Sequence, residues 1–313
     1  MKPAAPPKLP RSQLPWRHAK PLKVLAFAGV LVVTAYFAVC AYIAEKMTLA
    51  VRAPLDSTPA DVGMTYDPVE FRSLVDEVAL RGWFIGTGGK QTILMLHAKD
   101  GRRDDPTIGL MEIARALVQR GYNVFVFDFR GHGESGGTRV GIASLEVRDV
   151  GGALAYLKTR GISQVGTLGF SMGAATTLNS AAAYPEMRVL VADSAFADFE
   201  QLLDIELPKQ TGLPVLFVPG TMAVSLPLFG MDFGNDQPAR SVARLGNRPV
   251  LLIHGTADSS VPLSHAYQLQ AAGASNPNLR LWVVPDAEHV RAYRKYPDEY
   301  LKRVIVFFDE FLK

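Results

Sequence analysis

The apolar residues of the chain form two patterns: one uninterrupted run near the start, and a long region from residue 91 onward in which apolar segments recur. In that region, short continuous apolar segments alternate with segments whose apolar residues repeat about every 3.6 positions. The continuous segments predict strands buried on both faces, and the periodic ones predict helices that pack one face inward. Regular alternation of the two predicts an α/β fold with a mostly parallel sheet, whose ligand site lies at the carboxyl ends of the strands.

The same pattern gives the order of the elements. Strands are predicted at residues 92–97, 123–129, 164–170, 187–192, 249–254 and 279–284. Helices are predicted at residues 107–120, 145–160, 263–272 and 298–311. Two earlier strands, at 69–73 and 78–84, supply an antiparallel entry to the sheet. With 313 residues, 48% of them apolar, the chain can form one large α/β domain, predicted at residues 63–313, with an appendage joined by a linker at 45–62.

The appendage is the apolar run at residues 24–44, which holds 21 residues and no charge. At about 1.5 Å per residue, a helix of this length spans the ~30 Å hydrocarbon core of a bilayer. We therefore expect a transmembrane anchor at residues 22–44. A cleaved signal peptide is the alternative, because Val39-Cys40-Ala41 offers a cleavage site with small residues. The run is longer than the apolar core of most signal peptides, which favours an anchor that is retained.

Charge is distributed unevenly along the chain. The formal net charge is +3, but the first 23 residues hold six Lys or Arg and no Asp or Glu. The remainder holds 27 basic residues against 30 acidic ones, so no surplus of positive charge is left for binding nucleic acid. Because positive charge flanks the cytoplasmic side of membrane helices, a basic disordered tail at residues 1–21 is predicted in the cytoplasm, with the α/β domain outside. This predicts a single-pass protein of the cytoplasmic membrane.

The sequence Gly169-Phe170-Ser171-Met172-Gly173 lies between a predicted strand and a predicted helix of small residues. This is the G-x-S-x-G nucleophile elbow in the context that its chemistry requires. A serine hydroxyl becomes nucleophilic when the turn holds it clear of the sheet, beside a base and beside amides that stabilise an oxyanion. Such a turn strains the serine backbone and leaves no room for side chains two positions away, which the two glycines satisfy. Ser171 is therefore the predicted nucleophile.

A catalytic serine needs a base and an acid that orients the base. Of the six histidines, His289 stands alone in a loop just after the last predicted strand, where the chain order Ser, Asp, His places the base. Histidines at strand ends are predicted to secure loops: His97, His132 and His254. For the acid, we favour Asp258, which follows a strand and precedes a helix. Asp193, directly after the strand beyond the elbow, is the alternative.

Between two predicted strands of the sheet lies a segment of different character, which we interpret as a lid over the active site at about residues 195–246. Residues 210–231 within it carry no charge. The prolines and glycines of this stretch argue against a continuous helix, and hence against a second membrane span. We expect some of its apolar side chains to cover the crevice above the nucleophile, with Phe217 and Phe229 as candidates for an acyl pocket, and some to rest on the nearby bilayer surface. The alternative is that they only complete the core.

Four motifs of the chain together resemble those of the α/β-hydrolase superfamily. They are the elbow, Asp128-Phe129-Arg130-Gly131-His132-Gly133-Glu134-Ser135, the stretch 254–262 around Asp258, and the loop 286–289 that ends in His289. Over about residues 57–313, the chain most resembles membrane-anchored bacterial members grouped with serine aminopeptidase-like and dienelactone-hydrolase-like proteins. The resemblance implies an α/β-hydrolase fold, a triad of Ser171, Asp258 and His289, and hydrolysis of an ester, thioester or amide.

The resemblance also implies an oxyanion hole. Family members form it from the amide after the serine and from an amide just past a His-Gly pair that ends an early strand. Here those would be the backbone N–H groups of Met172 and Lys99. The chain departs from the pattern by having His97-Ala98-Lys99 in place of His-Gly-x, and a Cβ at Ala98 alters the demands on that turn.

Taken together, these residues predict a serine hydrolase, of the esterase or lipase kind, that cleaves a carboxylic ester or related acyl bond through an acyl-enzyme. The expected partner is a small acyl compound. No cofactor or metal is expected, since neither metal-ligand spacing nor a phosphate-binding loop occurs in the sequence. A peptidase or acyltransferase with the same triad is the alternative among enzymes, because substrate choice depends on lid and pocket. A catalytically inactive, membrane-tethered binding protein is the alternative from another class, and the intact serine, acid and histidine argue against it.

Overall fold

The computed structural model describes residues 2–4, 19–89 and 91–313; most of the predicted disordered tail falls on residues 1 and 5–18, outside this part. The strands of the described part are β1 (Asp67–Arg72), β2 (Ala79–Ile85), β3 (Thr92–Leu96), β4 (Asn123–Phe127), β5 (Val165–Phe170), β6 (Met187–Asp193), β7 (Val250–Gly255) and β8 (Leu279–Val284). Its helices are α1 (Ala19–Thr48), α2 (Leu110–Gln119), α3 (Glu146–Thr159), α4 (Met172–Ala183), α5 (Phe199–Thr211), α6 (Val218–Phe229), α7 (Pro238–Val242), α8 (Ser264–Ala272), α9 (Ala292–Lys295) and α10 (Pro297–Phe311). Short 3-10 turns occupy Pro59–Val62 and Val215–Phe217.

The strands form one sheet in the order β1-β2-β4-β3-β5-β6-β7-β8. From β4 to β8 along this order, neighbouring strands run parallel, whereas β2 is antiparallel to both β1 and β4. Helices connect the parallel strands, as parallel pairing requires. The predicted fold class, α/β with a mostly parallel sheet after an antiparallel entry, is confirmed.

The pleat of each central strand sends alternate side chains into two separate cores. Leu94 and Leu96 of β3 enter the cluster that includes residues of α3 and α4. Ile93 and Met95, which alternate with these leucines along β3, enter the cluster that includes residues of α2 and α10. Helices therefore cover both faces, and this explains why β3 reads as a continuous apolar run and not as an alternation.

The apolar run near the start of the chain lies within α1. Lys23–Thr48 of this helix is long and apolar enough to cross a membrane, with a mean hydropathy of 2.4 in its most apolar part. The helix continues to Thr48, whereas the prediction placed a linker from residue 45 onward. Its last turns are buried against the rest of the chain, through Cys40, Ile43 and Ala44.

Backbone hydrogen bonds join the end of α1 directly to the α/β domain. Val140 N donates to the Thr48 carbonyl oxygen (2.7 Å), and Ala50 N donates to the Thr138 carbonyl oxygen (3.1 Å). Such pairing satisfies backbone groups that a solvated linker would leave to water. The anchor candidate therefore meets the domain through a fixed connection.

The lid segment, residues 195–246, contains α5, α6 and α7. The chain does break between α5 and α6, where Gly212 adopts a φ of 70°, so no continuous helix extends over 210–231 of the described chain. α6 nevertheless forms despite its prolines. Pro219 lies in its first turn, where a missing N–H costs no helical hydrogen bond, and Pro227 lies in its last turn.

Candidate active site

Ser171 lies between β5 and α4 with a φ of 51° and a ψ of −114°, a strained conformation for a residue with a side chain. A Cβ on Gly169 would overlap the carbonyl oxygen of Gly173, and a Cβ on Gly173 would overlap that of Leu96. Close packing of β5, α4 and β3 therefore requires both glycines. The turn leaves Ser171 half-buried at the carboxyl end of the sheet, as expected of a nucleophile elbow.

Three loops bring Ser171, His289 and Asp258 together. His289 Nε2 lies 2.8 Å from Ser171 Oγ, and His289 Nδ1 lies 2.7 Å from Asp258 Oδ2. The loops follow β5, β7 and β8, so the three residues meet at the carboxyl ends of parallel strands. In this arrangement a histidine can take the serine proton while the carboxylate fixes its tautomer.

The Asp258 carboxylate is buried and held on both oxygens. Oδ1 accepts hydrogen bonds from the amides of Ser260 (3.0 Å) and Val261 (2.8 Å), which leaves Oδ2 to His289. His254 Nε2 lies 3.4 Å from Oδ2 and 2.8 Å from the Val261 carbonyl oxygen, so this nitrogen carries a proton and donates it. Burial lowers the pKa of His254, which keeps the ring neutral. His254 thus secures the turn that carries the acid.

Asp193, the alternative acid, is also buried. Its carboxylate accepts a hydrogen bond from Ser194 Oγ (3.0 Å), and its backbone carbonyl accepts one from Ser171 N (2.8 Å). Within the described residues, no hydrogen bond joins it to His289. Burial raises the pKa of Asp193 to about 7, which disfavours the charged form that an imidazolium partner needs. The structure therefore brings Asp258, and not Asp193, to the imidazole.

Met172 and Lys99 both line the cleft that contains Ser171. Gly173, next to Met172, packs so closely on the end of β3 that the first turn of α4 lies beside the loop that carries Lys99. In the part of the chain that the structure describes, neither amide donates to a protein acceptor. Both N–H groups are thus left for an oxyanion, at the positive end of the α4 dipole in the case of Met172. Their role in the reaction stays a prediction.

Two buried histidines hold the loop after β3, residues 97–105. His97 Nε2 accepts a hydrogen bond from Phe129 N (3.0 Å), and His132 Nε2 accepts one from Asp100 N (3.0 Å). A ring nitrogen that accepts must be unprotonated, and burial lowers the pKa of His97 to about 4 and that of His132 to about 3. Both histidines therefore secure the loop in their neutral form.

Buried ion pairs connect this loop and the turn after β4 to the domain. Arg103 donates to Asp128 through its backbone N (2.7 Å) and its guanidinium (2.6 Å), and it lies 4.3 Å from the centroid of the Trp83 ring. Arg130 pairs with Asp149 at 2.7 Å. The sequence signal for the first pair is Asp128, a charged residue directly beyond the fully apolar strand β4, because a buried charge needs a partner. The motif that begins at Asp128 is thus a structural support for the cleft.

The cleft beside Ser171 has a volume of about 470 Å³ and a mixed lining. Its apolar lining draws on the end of α1, the lid segment and the loop after β4: Met47, Ile142, Phe196, Phe199, Leu202 and Leu203. Its polar lining comes from the loop after β3 and from α5: Lys99, Asp100, Arg102, Asp105, Glu206 and Gln210. Such a cleft suits a substrate that carries both apolar and polar groups.

Phe217 and Phe229, expected over the crevice, do not line it. The Phe217 ring stacks on Tyr36 of α1 with 5.5 Å between ring centroids, and the Arg139 guanidinium lies 4.1 Å from the centroid of Phe229. The expectation was wrong because Phe217 packs on α1 and Phe229 on Arg139 in the loop after β4. The lid instead contributes to the cleft through α5 and the residues just before it.

A protein metal site needs about three or more His, Cys, Asp or Glu side chains close together. Within residues 2–4, 19–89 and 91–313, no such group occurs. The chemistry that the described cleft offers is the serine, imidazole and carboxylate set out above.

Hydrolases are among the known proteins to which this chain is similar. Residues 107–216 match the family model described as serine aminopeptidase, S33. The protein YfhR of Escherichia coli (strain K12) is 28% identical over 253 residues, which cover 77% of this chain and 80% of YfhR. YqkD of Bacillus subtilis (strain 168) is 31% identical over 209 residues, or 62% of this chain and 64% of YqkD. The solved structure of the Pyrococcus furiosus esterase Pf2001 is 28% identical, with a TM-score of 0.71, and the match covers 84% of this chain and 100% of the esterase.

The sheet order, the elbow and these similarities show an α/β-hydrolase fold and support a place in the α/β-hydrolase superfamily. The resemblance inferred from the sequence motifs is confirmed at this level. Similarity to a solved esterase supports a hydrolase.

Proposed function

We propose that the protein is a membrane-anchored serine hydrolase that cleaves a carboxylic ester through an acyl-enzyme. The observation that carries this proposal is the hydrogen-bonded chain from Ser171 Oγ through His289 to Asp258, within a cleft lined by both apolar and polar side chains. Similarity to the esterase Pf2001 supports an ester as the scissile bond.

In the proposed reaction, Ser171 Oγ attacks the acyl carbonyl carbon while His289 Nε2 takes the serine proton. Asp258 stabilises the imidazolium and holds the ring in the tautomer that presents Nε2 to the serine. The oxyanion accepts hydrogen bonds from the amides of Met172 and Lys99, which need not reorient as charge develops. His289 returns the proton to the leaving alcohol oxygen, and the acyl group stays on Ser171. Water, deprotonated by the same imidazole, then releases the acid.

Aminopeptidase activity is the second candidate, because the matched family model carries that description. An aminopeptidase needs an anionic group to bind the α-ammonium of its substrate, and Asp100, Asp105 and Glu206 line the cleft. Asp100 and Glu206 already form ion pairs, with Lys99 at 2.7 Å and with Lys209 at 3.3 Å. Asp105 accepts hydrogen bonds from the backbone N and Oγ1 of Thr107. Two of the three acidic groups are therefore already paired, and we place ester hydrolysis first.

Within the same proposal, α1 is a retained membrane anchor with the α/β domain outside the cytoplasm. Tyr36 Oη donates a hydrogen bond to the Leu216 carbonyl oxygen (2.9 Å), and Cys40 is completely buried. Cleavage within residues 39–41 would remove contacts on which the lid rests, and this supports an anchor over a cleaved signal peptide. The six basic residues before the apolar run support a cytoplasmic N-terminus.

Labelling with a fluorophosphonate probe tests the catalytic proposal. Ser171→Ala should abolish labelling and lower ester turnover by roughly 10⁴-fold or more, because it removes the attacking oxygen and hardly any packing. Ser264→Ala, at an exposed serine of α8, is the matched control and should leave both intact. Turnover of aminoacyl amides without turnover of esters would favour the peptidase. Near-wild-type activity of Ser171→Ala would end the serine-hydrolase proposal.

A further inference from the structure

α6 buries polar residues and exposes apolar ones, which is the reverse of a helix that faces water. Its hydroxyl residues Thr221 and Ser225 are buried, and Ser225 Oγ donates to the Thr221 carbonyl oxygen at 2.7 Å. Leu226 and Leu228 lie on the outside and are 51% and 54% exposed. A surface helix in water turns its apolar residues inward and its polar residues outward. The arrangement of α6 is therefore suited to apolar surroundings.

The exposed apolar surface continues into the turn before α6. Val215 and Leu216 are 50% and 63% exposed. We define the lid surface as Val215, Leu216, Leu226 and Leu228. Residues 211–231 contain no Lys, Arg, Asp or Glu, so no charge interrupts it. Soluble proteins seldom leave an apolar face of this kind uncovered, and something must cover the lid surface.

The lid surface is fixed to α1 inside the apolar run. Tyr36 Oη donates to the Leu216 carbonyl oxygen at 2.9 Å, and its ring stacks on Phe217. Gly220 approaches α1 so closely that a Cβ there would overlap the sulfur of Cys40. The turn and the first part of α6 therefore share the depth of Tyr36 and Cys40 in any membrane that α1 crosses.

Charged residues lie at the other end of the contact between α6 and α1. The Arg139 guanidinium lies over the Phe229 ring at the end of α6 and pairs at 2.6 Å with Glu45, the first charged residue after the apolar run. Tyr36 precedes Glu45 by nine residues, or about 13 Å along a helix that rises ~1.5 Å per residue. In a membrane that α1 crosses, α6 thus extends from the level of Glu45 to a depth of roughly one lipid leaflet. Interfacial helices lie at a comparable depth, with their apolar faces about 5–10 Å into the membrane.

We propose that the lid surface is embedded in the lipid leaflet around the C-terminal end of α1, with lipid acyl chains as its partner. This rests on α1 being the membrane anchor proposed above. The cleft then borders the membrane, because Met47, just after the apolar run, and Gln210, the first residue of the uncharged stretch, both line it. A membrane-dissolved acyl substrate can reach Ser171 from the leaflet without passing through water.

Fluorescence quenching in the full chain, reconstituted in phosphatidylcholine vesicles, tests this proposal. Cys40, the single cysteine, is replaced by Ala, and Leu226→Cys then carries an environment-sensitive fluorophore. Lipids with a nitroxide on the acyl chain should quench this label, and aqueous iodide should not. Val306→Cys on α10 is the matched control, because Val306 is 52% exposed against 51% for Leu226. It should be quenched by iodide alone.

A third label separates failure of the lid surface from failure of the anchor. Val30→Cys in α1, at a position 62% exposed, should be quenched by the nitroxide lipids if α1 spans the bilayer. If Val30 is quenched by lipid while Leu226 is quenched by iodide, the anchor stands and the lid-surface proposal is overturned. A Leu226 label shielded from both quenchers would mean that a second copy of the chain covers the surface, which also overturns it. Quenching of Val30 by iodide would overturn the anchor itself.

Activity supplies a second measurement. Leu226→Gln combined with Leu228→Gln makes the lid surface polar while adding no charge. The turnover of a long-chain ester dissolved in the vesicles, divided by that of a soluble short-chain ester, should fall several-fold. Turnover of the soluble ester shows whether the variant is folded. An unchanged ratio would overturn the role of the lid surface in substrate access.

Discussion

Two residues with strained backbones hold the reacting side chains in place. Ser171 has a φ of 51°, and Val290, which follows His289, has a φ of 52°. A positive φ is uncommon for a residue with a side chain and more so for a β-branched one. Ser171 N donates to the Asp193 carbonyl oxygen (2.8 Å) and Val290 N to Ser194 Oγ (3.1 Å), which offsets the strain. The end of β6 therefore supports both the nucleophile and the base.

The two aspartates should respond differently to loss of charge. Asp258→Asn should lower kcat by roughly 10⁴-fold with little change in KM, because an amide neither fixes the tautomer of His289 nor stabilises its protonated form. Asp193→Asn should have a small effect near neutral pH, since burial raises the pKa of Asp193 to about 7 and its carboxyl is already partly protonated there. Steady-state kinetics on a soluble ester measures both variants. The reverse ranking would transfer the role of acid to Asp193.

Acid should destabilise the folded state through His132. Burial lowers the pKa of this residue to about 3 from an ordinary value of 6.5, so below pH 6.5 the unfolded chain binds a proton that the folded chain does not. Stability then falls with decreasing pH, by up to about 1.4 kcal/mol per pH unit, until the folded pKa is reached. Thermal unfolding in detergent from pH 7 to pH 5 measures this. His132→Gln, whose amide oxygen can accept the Asp100 N–H, should lose less Tm over that range than the wild type.

Two buried carboxyls have the opposite effect on how stability depends on pH. The test therefore compares the wild type with the His132 variant. Burial raises the pKa of Glu146 and of Asp193 to about 7, so between about pH 4 and pH 7 the folded chain holds protons that the unfolded chain releases. Their contribution to stability decreases as pH rises. Because both carboxyls are present in wild type and variant alike, the difference between the two proteins isolates His132. An equal loss of Tm in both would contradict the assignment.

The strands and helices of the sheet could be predicted from apolar periodicity, because each depends on residues close together in sequence. β8 occupies Leu279–Val284, the residues predicted for it. α2 begins at Leu110, not at residue 107, because Asp105 accepts from the Thr107 amide and Gly109 takes a φ of 90°. Boundary errors of this kind come from local turn geometry, which periodicity does not encode.

The lid could be predicted only in part. The absence of charge in residues 211–231 signals unusual surroundings, but its partner depends on contacts 177 and 180 residues apart, from Cys40 to Phe217 and from Tyr36 to Leu216. Met47 of the same helix also lines the cleft. Local patterns carry no information about contacts of that length. The nucleophile, base and acid could therefore be proposed from motifs, whereas the apolar lining of the cleft could not.

Leu202 of α5 should influence which acyl chains the enzyme accepts. Its side chain lines the cleft, so Leu202→Ala enlarges the pocket and should shift the preference toward longer or bulkier acyl groups, by roughly 10–200-fold at most. Values of kcat/KM over esters of rising chain length measure the shift. Phe217→Ala, which removes a contact with α1, is the control and should lower Tm with no change of preference. If Phe217→Ala shifted the chain-length preference instead, the acyl pocket would be formed at α6.

Across the whole molecule, α1 is attached at two separated places. Backbone bonds at Thr48 and Ala50 join its end to the α/β domain, while Tyr36 and Cys40 hold the lid. A helix tied at both places does not act as a flexible tether. If α1 crosses a bilayer, the fold itself therefore sets how the cleft faces the membrane, and this favours substrates that reside in or on it.

The orientation of the chain in the membrane is the last prediction. Six basic residues precede the apolar run with no acid among them, so the N-terminus should stay in the cytoplasm and residues 50–313 should lie outside. In bacterial cells that express the chain with a tag at each end, protease added to spheroplasts should remove the C-terminal tag and leave the N-terminal one. Replacing the six basic residues by Gln is the control and should weaken this bias. Loss of the N-terminal tag alone would invert the topology, and a mature N-terminus at Tyr42 would show that the segment is a cleaved signal peptide, at the expense of the Tyr36 and Cys40 contacts that hold α6.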